Sequence, residues 1–350
     1  MDDLVSHLAL FLLSNVLFGG VMAAFLLRYV ERTILGGGAT VLLGLGLAPF
    51  MITWVLNAIL LLSPGGTPVV AVGGVLVFFS SLALFAGRGW RSLAEVMTGS
   101  VSLWRSAATW PYLFFSMAMI FGSYVMLVYK PLVDHDILEY GTQGRIFLRE
   151  MAVRYELHHY DQASGFYYVG LHGFSFPLLF TWEGAVRGLL NSDGDAWVRL
   201  QTPFFAWLLV TFVWGWARRY GTWLAVWVIG AFTLTIGFLY LNTIYHVDPV
   251  RVFLFTASMA LFASVLRAPS SAGLLLWGLV LGAHALTHSL GMILAPFMLL
   301  ILVALSPGTI TARLRQGGLA TMAFVVAGGF HYILDVTIGT GWLFKDITWF

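Results

Sequence analysis

The strongest constraint on this chain is a series of apolar runs, each long enough to cross a lipid bilayer. The run "PVVAVGGVLVFFSSLALFA", residues 68–86, contains no charged residue. A helix needs about 20 apolar residues to cross the hydrocarbon core of a membrane. Only 10% of the 350 residues are charged, whereas soluble globular domains contain about 25%. The sequence therefore predicts an all-α polytopic membrane protein.

The apolar runs predict about ten membrane helices. Eight spans are placed at 4–27, 35–62, 68–86, 110–129, 203–217, 222–243, 248–266 and 317–334. The apolar stretch 272–305 is too long for one span, so we predict two short helices that meet near His284 to His288. Residues 130–202 form a large outer loop with amphipathic helices that lie along the outer membrane surface, one of them starting near Ser175 and Pro177.

The positions of the basic residues agree with this map. With the N-terminus outside, every inner loop contains arginine, namely Arg28, Arg32, Arg88, Arg91, Arg105, Arg218, Arg219, Arg267, Arg313 and Arg315. The short outer connections "SPGGTP", "NTIYHVD" and "HALTHS" contain neither Lys nor Arg. This is the positive-inside pattern. It predicts a multi-pass protein of the plasma (inner) membrane, and the net charge of +2 gives no argument for binding nucleic acid.

Acidic residues and histidines collect on the predicted outer side. "YKPLVDHDILEYGTQGR", residues 129–145, places Asp134, His135 and Asp136 directly after a span, and "NTIYHVDPVR" places His246 and Asp248 directly before another. Ionisable groups near membrane depth are costly, so a functional site is the first hypothesis. Oxygen and nitrogen ligands of this kind suit Mg²⁺ or Mn²⁺, and Zn²⁺ less well. One carboxylate could instead act as a general base.

Simpler explanations exist for each of these groups. Asp136 and Glu139 fit a capping box at a helix start. Asp248 and Pro249 could simply begin a helix. The pair His284 and His288 lacks the glutamate of a zinc-protease motif and could pack at a hinge. A further motif, Gly278 with Gly282, predicts a close contact between helices rather than a catalytic or binding role.

In their order and sidedness, these segments resemble the GT-C superfamily of membrane glycosyltransferases. The resemblance covers about residues 108–350 and includes "HGFSFPLLFTW", "YLNTIYHVDPVRVFLFTASMALF" and "GLLLWGLVLGAHALTHSLGMILAPFMLL". Residues 1–107, with three predicted membrane helices and an inner amphipathic segment, lie outside the shared module. Family members continue with further spans, so the chain is expected to be incomplete at its C-terminus.

The resemblance implies transfer of a sugar from a polyprenyl-phosphate donor to an extracytoplasmic lipid, glycan or protein acceptor. The first acidic motif supplies the catalytic carboxylate, here Asp136 or Asp134, and we favour Asp136 as the base, with Asp134 assisting in metal or acceptor binding. The second motif, His246 and Asp248, helps to hold the metal or the lipid phosphate. The donor phosphate is expected near Arg251 or Arg145.

The hinge in the apolar stretch 272–305 supplies further candidate residues. His284 and His288 are expected to face the substrate cavity from the hinge. The alternative functions are a lipid or polysaccharide transporter or flippase, marked by charges buried within spans, and a non-catalytic membrane assembly subunit.

Overall fold

A computed structural model describes residues 2–30, 35–100, 109–129, 135–153, 155, 173–190, 194–235 and 247–338, and these residues form helices joined by short connections, without a β-strand. Six of the described helices are long and apolar enough to cross a membrane, and three shorter apolar helices accompany them. The chain is therefore a helical membrane protein. The total of ten membrane helices stays a prediction.

The helices are numbered in chain order. They are α1 (the consecutive stretches Asp2–Phe11, Leu12–Leu17 and Phe18–Tyr29), α2 (Gly37–Leu62), α3 (Pro68–Ala86), α4 (Gly89–Ser100), α5 (Thr109–Tyr129), α6 (His135–Glu150), α7 (Ser175–Leu189), α8 (Ala196–Ala217), α9 (Thr222–Leu234), α10 (Asp248–Arg267), α11 (Ser271–Thr287), α12 (Ser289–Leu305) and α13 (Ile310–Thr337).

Most predicted spans coincide with a helix, and the exceptions have local causes. The last span was placed at 317–334, but α13 runs over Ile310–Thr337. Its start is set by a cap, because the Thr309 hydroxyl accepts a hydrogen bond from the Ala312 amide at 3.3 Å. Helix α8 begins at Ala196 rather than at 203, two residues after Gly194, whose positive φ is typical of a turn. Helix boundaries follow caps and turns, which the apolar run alone does not report.

The predicted break in the apolar stretch 272–305 is confirmed. His288 separates α11 from α12 with an extended backbone, φ −157° and ψ 144°. Its Nδ1 accepts a hydrogen bond from the Leu290 amide at 3.1 Å and so caps α12. The helix cannot continue through this residue because its backbone is extended.

The chain forms two compact units. The first unit contains Met1–Pro49, Phe79–Leu138 and Asp195–Phe253, and the second contains Phe50–Phe78, Glu139–Gly194 and Leu254–Phe350.

In the first unit, a π-helical segment of α1 carries a buried polar residue into the helix packing. The Asn15 amide donates to Gln201 Oε1 at 2.9 Å, and its carbonyl oxygen accepts from Trp197 Nε1 at 2.8 Å. Both partners lie on α8. All three side chains are fully buried, and a polar network that satisfies its members in this way fixes the register of two membrane helices.

In the second unit, α11 packs closely against α13 through two glycines. A Cβ atom at Gly278 would lie 2.8 Å from the Ala323 Cβ, and one at Gly282 would lie 2.6 Å from the Ala327 Cβ. This confirms the predicted close helix contact of the G-x-x-x-G motif. The close approach buries the C-terminal end of α11, including His284.

Candidate functional site

The acidic segment after α5 is described only in part. Asp134 lies outside the described residues, as do His246, His158, His159, Asp161, His172 and Asp346. Helix α6 begins at His135, so Asp136 lies in its first turn, whereas the sequence placed Asp136 directly before the helix. Definitions of a helix start differ by about one to two residues. The side-chain position of Asp136 is not described.

At the second acidic segment, two of the predicted site residues bind each other. Asp248 is the first residue of α10, and its Oδ1 forms an ion pair with Nη2 of Arg251, one turn later. The two side chains are 22% and 26% exposed. Arg251 therefore has a carboxylate beside it, and any phosphate would share the guanidinium with Asp248. Both residues belong to the first unit.

The remaining predicted binding residues lie in the second unit. Arg145 is exposed on α6, whose buried face contains Tyr140 and Phe147. His284 and His288 are 2% and 8% exposed, and the His284 ring lies 6.1 Å from the Phe255 ring, measured between centroids. The hinge thus encloses both imidazoles in protein, and their contact with substrate stays a prediction.

Two charged residues of helix α7 are buried. This helix is predicted to be amphipathic and to lie along the outer membrane surface, and its Glu183 and Arg187 are only 1% and 2% exposed. Glu183 Oε1 lies 3.4 Å from Arg187 Nε, which makes a buried ion pair within the helix. The reason is close packing on α6, because the Thr181 hydroxyl donates to the Gly144 carbonyl at 3.0 Å.

One expectation about the end of the last span is wrong. Asp335 was expected to follow the span, but it lies inside α13 and is fully buried. His331 lies one turn before it on the same helix and is also fully buried. The i, i+4 spacing places both on one helix face. The spacing of these two ionisable residues in an apolar helix is the feature of the sequence that could have predicted their shared helix face.

A tyrosine from another segment completes this group. The Tyr155 hydroxyl lies 2.8 Å from His331 Nδ1, at hydrogen-bond distance. The His331 ring also packs edge-on against Phe174, with 4.3 Å between centroids. We call Asn57, Tyr155, His331 and Asp335 the buried polar cluster. Asn57 comes from α2 and is fully buried.

The electrostatics of the buried polar cluster keep Tyr155 protonated. Burial raises the pKa of Tyr155 far above its ordinary value; the neighbouring Asn57 amide opposes this rise, and the Asp335 carboxylate adds to it. A protonated phenol can donate its hydrogen bond to Nδ1, which places the proton of a neutral His331 on Nε2. A phenol, an imidazole and a carboxylate in one dry environment are groups able to accept, hold and pass a proton.

Two nearby hydrogen bonds hold the helices around this cluster. The Tyr332 hydroxyl donates to the Ala285 carbonyl at 2.8 Å and so ties α13 to α11 beside His284. The hydroxyls of Thr53 on α2 and Ser175 on α7 lie 3.2 Å apart. Polar contacts thus join α13 to α11 and α2 to α7.

The predicted divalent metal cannot be built from the described residues. Among them, no group of three or more His, Asp or Glu side chains is arranged to hold a metal ion. Of the proposed ligands Asp134, His246 and Asp248, only Asp248 is described, and its carboxylate contacts Arg251. The metal stays a prediction, and no step proposed below uses it.

The described residues thus define a multi-pass helical membrane protein with ionisable groups buried among its helices. Comparisons of the chain with protein-family models, with curated proteins and with solved structures find no match in any of the three.

Proposed function

We propose that the protein is a membrane glycosyltransferase that moves a sugar from a polyprenyl-phosphate donor to an acceptor outside the cytoplasm. The observation that carries the proposal is the position of the two acidic segments. One lies between α5, which coincides with a predicted span, and the amphipathic helix α6; the other opens α10, which is long and apolar enough to cross a membrane. A donor anchored by a lipid tail presents its phosphate at this depth, where ionisable side chains are otherwise costly.

The proposed reaction is a displacement at the anomeric carbon. The Asp136 carboxylate accepts the proton of the acceptor hydroxyl as the hydroxyl oxygen attacks that carbon. The new bond joins the acceptor oxygen to the sugar, while the bond from the anomeric carbon to the phosphate oxygen breaks. Polyprenyl phosphate leaves with the electron pair of the broken bond, and a guanidinium such as that of Arg251 stabilises its charge.

The test measures sugar transfer by the purified protein in nanodiscs, with polyprenyl-phosphate sugars labelled in the sugar. Asp136→Asn should lower transfer by about 10²–10⁴-fold, the usual effect of losing a general base. Binding of polyprenyl phosphate should survive, since Asn keeps the shape of the side chain. Glu139→Gln on the same helix is the matched control and should transfer at the native rate.

Two outcomes would contradict the assignment at different levels. If Asp134→Asn is inactive and Asp136→Asn is native, the base is Asp134 and the reaction class stands. If both variants transfer sugar at the native rate, the glycosyltransferase proposal fails.

The buried polar cluster favours a second candidate, a proton-coupled lipid transporter. Asp335 and His331 are fully buried within α13, one of the helices long enough to span the membrane, and buried ionisable groups within spans characterise proton relays. In proteoliposomes, flipping of a fluorescent polyprenyl phosphate that depends on a pH gradient would support this candidate. Asp335→Asn should then abolish flipping while Asp136→Asn leaves it unchanged, the reverse of the pattern expected for the transferase.

A further inference from the structure

A cavity of about 500 Å³ lies in the first unit, where the end of α1 meets the start of α4. Its lining consists of Leu27, Arg28, Arg88, Gly89 and Ser92. The two charged residues of this lining are both cationic, and the serine adds a hydroxyl donor. We call this the arginine cavity. None of the residues proposed for sugar transfer lines it.

Contacts within the protein hold Arg28 in place. Its Nη1 donates to the Phe85 carbonyl at 2.7 Å, and the guanidinium lies 5.0 Å from the centroid of the Tyr29 ring. Gly87 makes room for this arrangement: it has φ +47°, and a Cβ atom there would collide with Arg28 Nη1. The guanidinium is thus oriented before any ligand binds, which lowers the entropic cost of binding.

Arg88 has a different environment from Arg219 and Arg313, which also lie near helix ends. Arg219 Nη2 donates to the Leu35 carbonyl at 2.8 Å, and Arg313 Nη1 donates to the Ala304 carbonyl at 2.9 Å. No hydrogen bond or ion pair of the Arg88 guanidinium is found within the described part of the chain. Arg88 also directly precedes α4, whose first residue, Gly89, marks the positive end of the helix dipole.

These charges make the arginine cavity a place for an anion. Two guanidinium groups that line one cavity repel each other, and neither has an ion pair with a carboxylate among the described residues. Phosphate oxygens accept the forked hydrogen bonds of arginine better than a single halide or water does. The chemical class of ligand that fits is therefore a phosphate group.

The surroundings indicate where that phosphate comes from. The cavity lies next to the end of α3, a candidate membrane span, and the neighbouring side chains of Leu84, Phe85 and Trp90 are 83%, 63% and 40% exposed. Exposed apolar and aromatic side chains beside basic residues are typical of the level of lipid headgroups. We propose that the arginine cavity binds the phosphate of an anionic phospholipid, whose acyl chains lie along Leu84 and Phe85.

The experiment titrates the purified protein with phosphatidylglycerol and with phosphatidylcholine and counts retained lipids by native mass spectrometry. The native protein should prefer phosphatidylglycerol, and Arg88→Gln should lower that affinity about fivefold or more. Ser92→Leu should have a similar effect because it fills the cavity without changing the charge. Arg91→Gln removes the same charge three residues further along the chain. Arg91 does not line the cavity, so this variant should retain near-native affinity.

Each alternative has its own outcome. If Arg91→Gln weakens binding as much as Arg88→Gln, the attraction is general electrostatics and the site is refuted. If the protein shows no preference for phosphatidylglycerol but binds inorganic phosphate in an Arg88-dependent way, the cavity is a free-anion site and the lipid assignment is wrong. If Ser92→Leu binds phosphatidylglycerol like the native protein, the lipid does not occupy this cavity. None of these results bears on sugar transfer.

Discussion

Tyr155 and His331 form a buried polar contact in the second unit. The tyrosine is 1% exposed and the histidine fully buried, so neither group can exchange the bond of 2.8 Å between them for a bond to water. Removing one partner from such a pair leaves the other buried without it, and this costs more than the net value of an exposed hydrogen bond. The pair should therefore contribute measurably to stability.

We predict that Tyr155→Phe lowers the free energy of unfolding by about 1–3 kcal/mol at neutral pH. The matched control is Tyr29→Phe, because the Tyr29 side chain is 45% exposed and its hydroxyl donates to the Phe85 carbonyl at 3.3 Å. That change should stay within about 0.5 kcal/mol. Denaturation of both variants in the same detergent, followed by Trp fluorescence, measures the difference.

The stability that this pair contributes should depend on pH. Burial raises the pKa of Tyr155 above the ordinary value of 10.0, so the folded state holds the proton more tightly than the unfolded state. The stability linked to this proton is complete below pH 10.0 and falls as the pH rises further, by about 1.4 kcal/mol per unit. Tyr155→Phe lacks this loss, so the gap between native and variant should narrow above pH 10.0. A gap that widens would contradict the assignment.

At the scale of the helices, the hydrophobic pattern and the positions of the charges predicted well which helices exist and in what order. The prediction for α3 at 68–86 matches Pro68–Ala86, and the break near His284 to His288 falls at His288. The surroundings of α7 were not predictable in this way. Glu183 and Arg187 at i, i+4 are what a solvated helix face would also contain. Their burial depends on contact with α6, which no local pattern reports.

The candidate site was less predictable than the helices for the same reason. Asp335 and His331 belong to the buried polar cluster only because Tyr155, distant in sequence, reaches His331. Conversely, the sequence placed Asp248 and Arg251 in separate roles, and their spacing of one turn lets them pair with each other. Spacing within a helix is readable from sequence, whereas contacts between distant segments are not.

Two glycines on neighbouring helices test the packing of α11 on α13. A Cβ atom at Gly282 would lie 2.7 Å from the Phe324 carbonyl oxygen, while one at Gly318 would have no atom within 4 Å. We predict that Gly282→Ala is destabilising by about 1–3 kcal/mol, since overpacking must push the helices apart. Gly318→Ala should be stabilising by about 0.5–1 kcal/mol, because alanine loses less backbone entropy in a helix. Thermal melts of the two variants, recorded together, should shift in opposite directions.

At the scale of the whole molecule, the transferase proposal depends on sidedness. The arginines near several helix ends are engaged locally: Arg218 lies over the Trp214 ring, 4.9 Å from its centroid, and Arg313 Nε donates to the Gly308 carbonyl at 3.1 Å. Contacts of this kind would occur on either side of a membrane. The orientation therefore rests on the distribution of Arg among the loops, which predicts an outer position for Asp136 and Asp248.

Single cysteines can test this orientation cleanly, because the chain contains none of its own. Ser63 lies after α2 in a predicted outer connection, and Ala268 lies after α10 in a predicted inner one; both are exposed. We predict that Ser63→Cys reacts with a membrane-impermeant maleimide in intact cells, whereas Ala268→Cys reacts only after the inner face is opened. The inverted pattern would place Asp136 and Asp248 in the cytoplasm and remove the basis for an extracytoplasmic transferase. Reaction of both from outside would instead show that the number of spans between them is even, which would refute the assignment of the spans while leaving the arrangement of each unit unchanged.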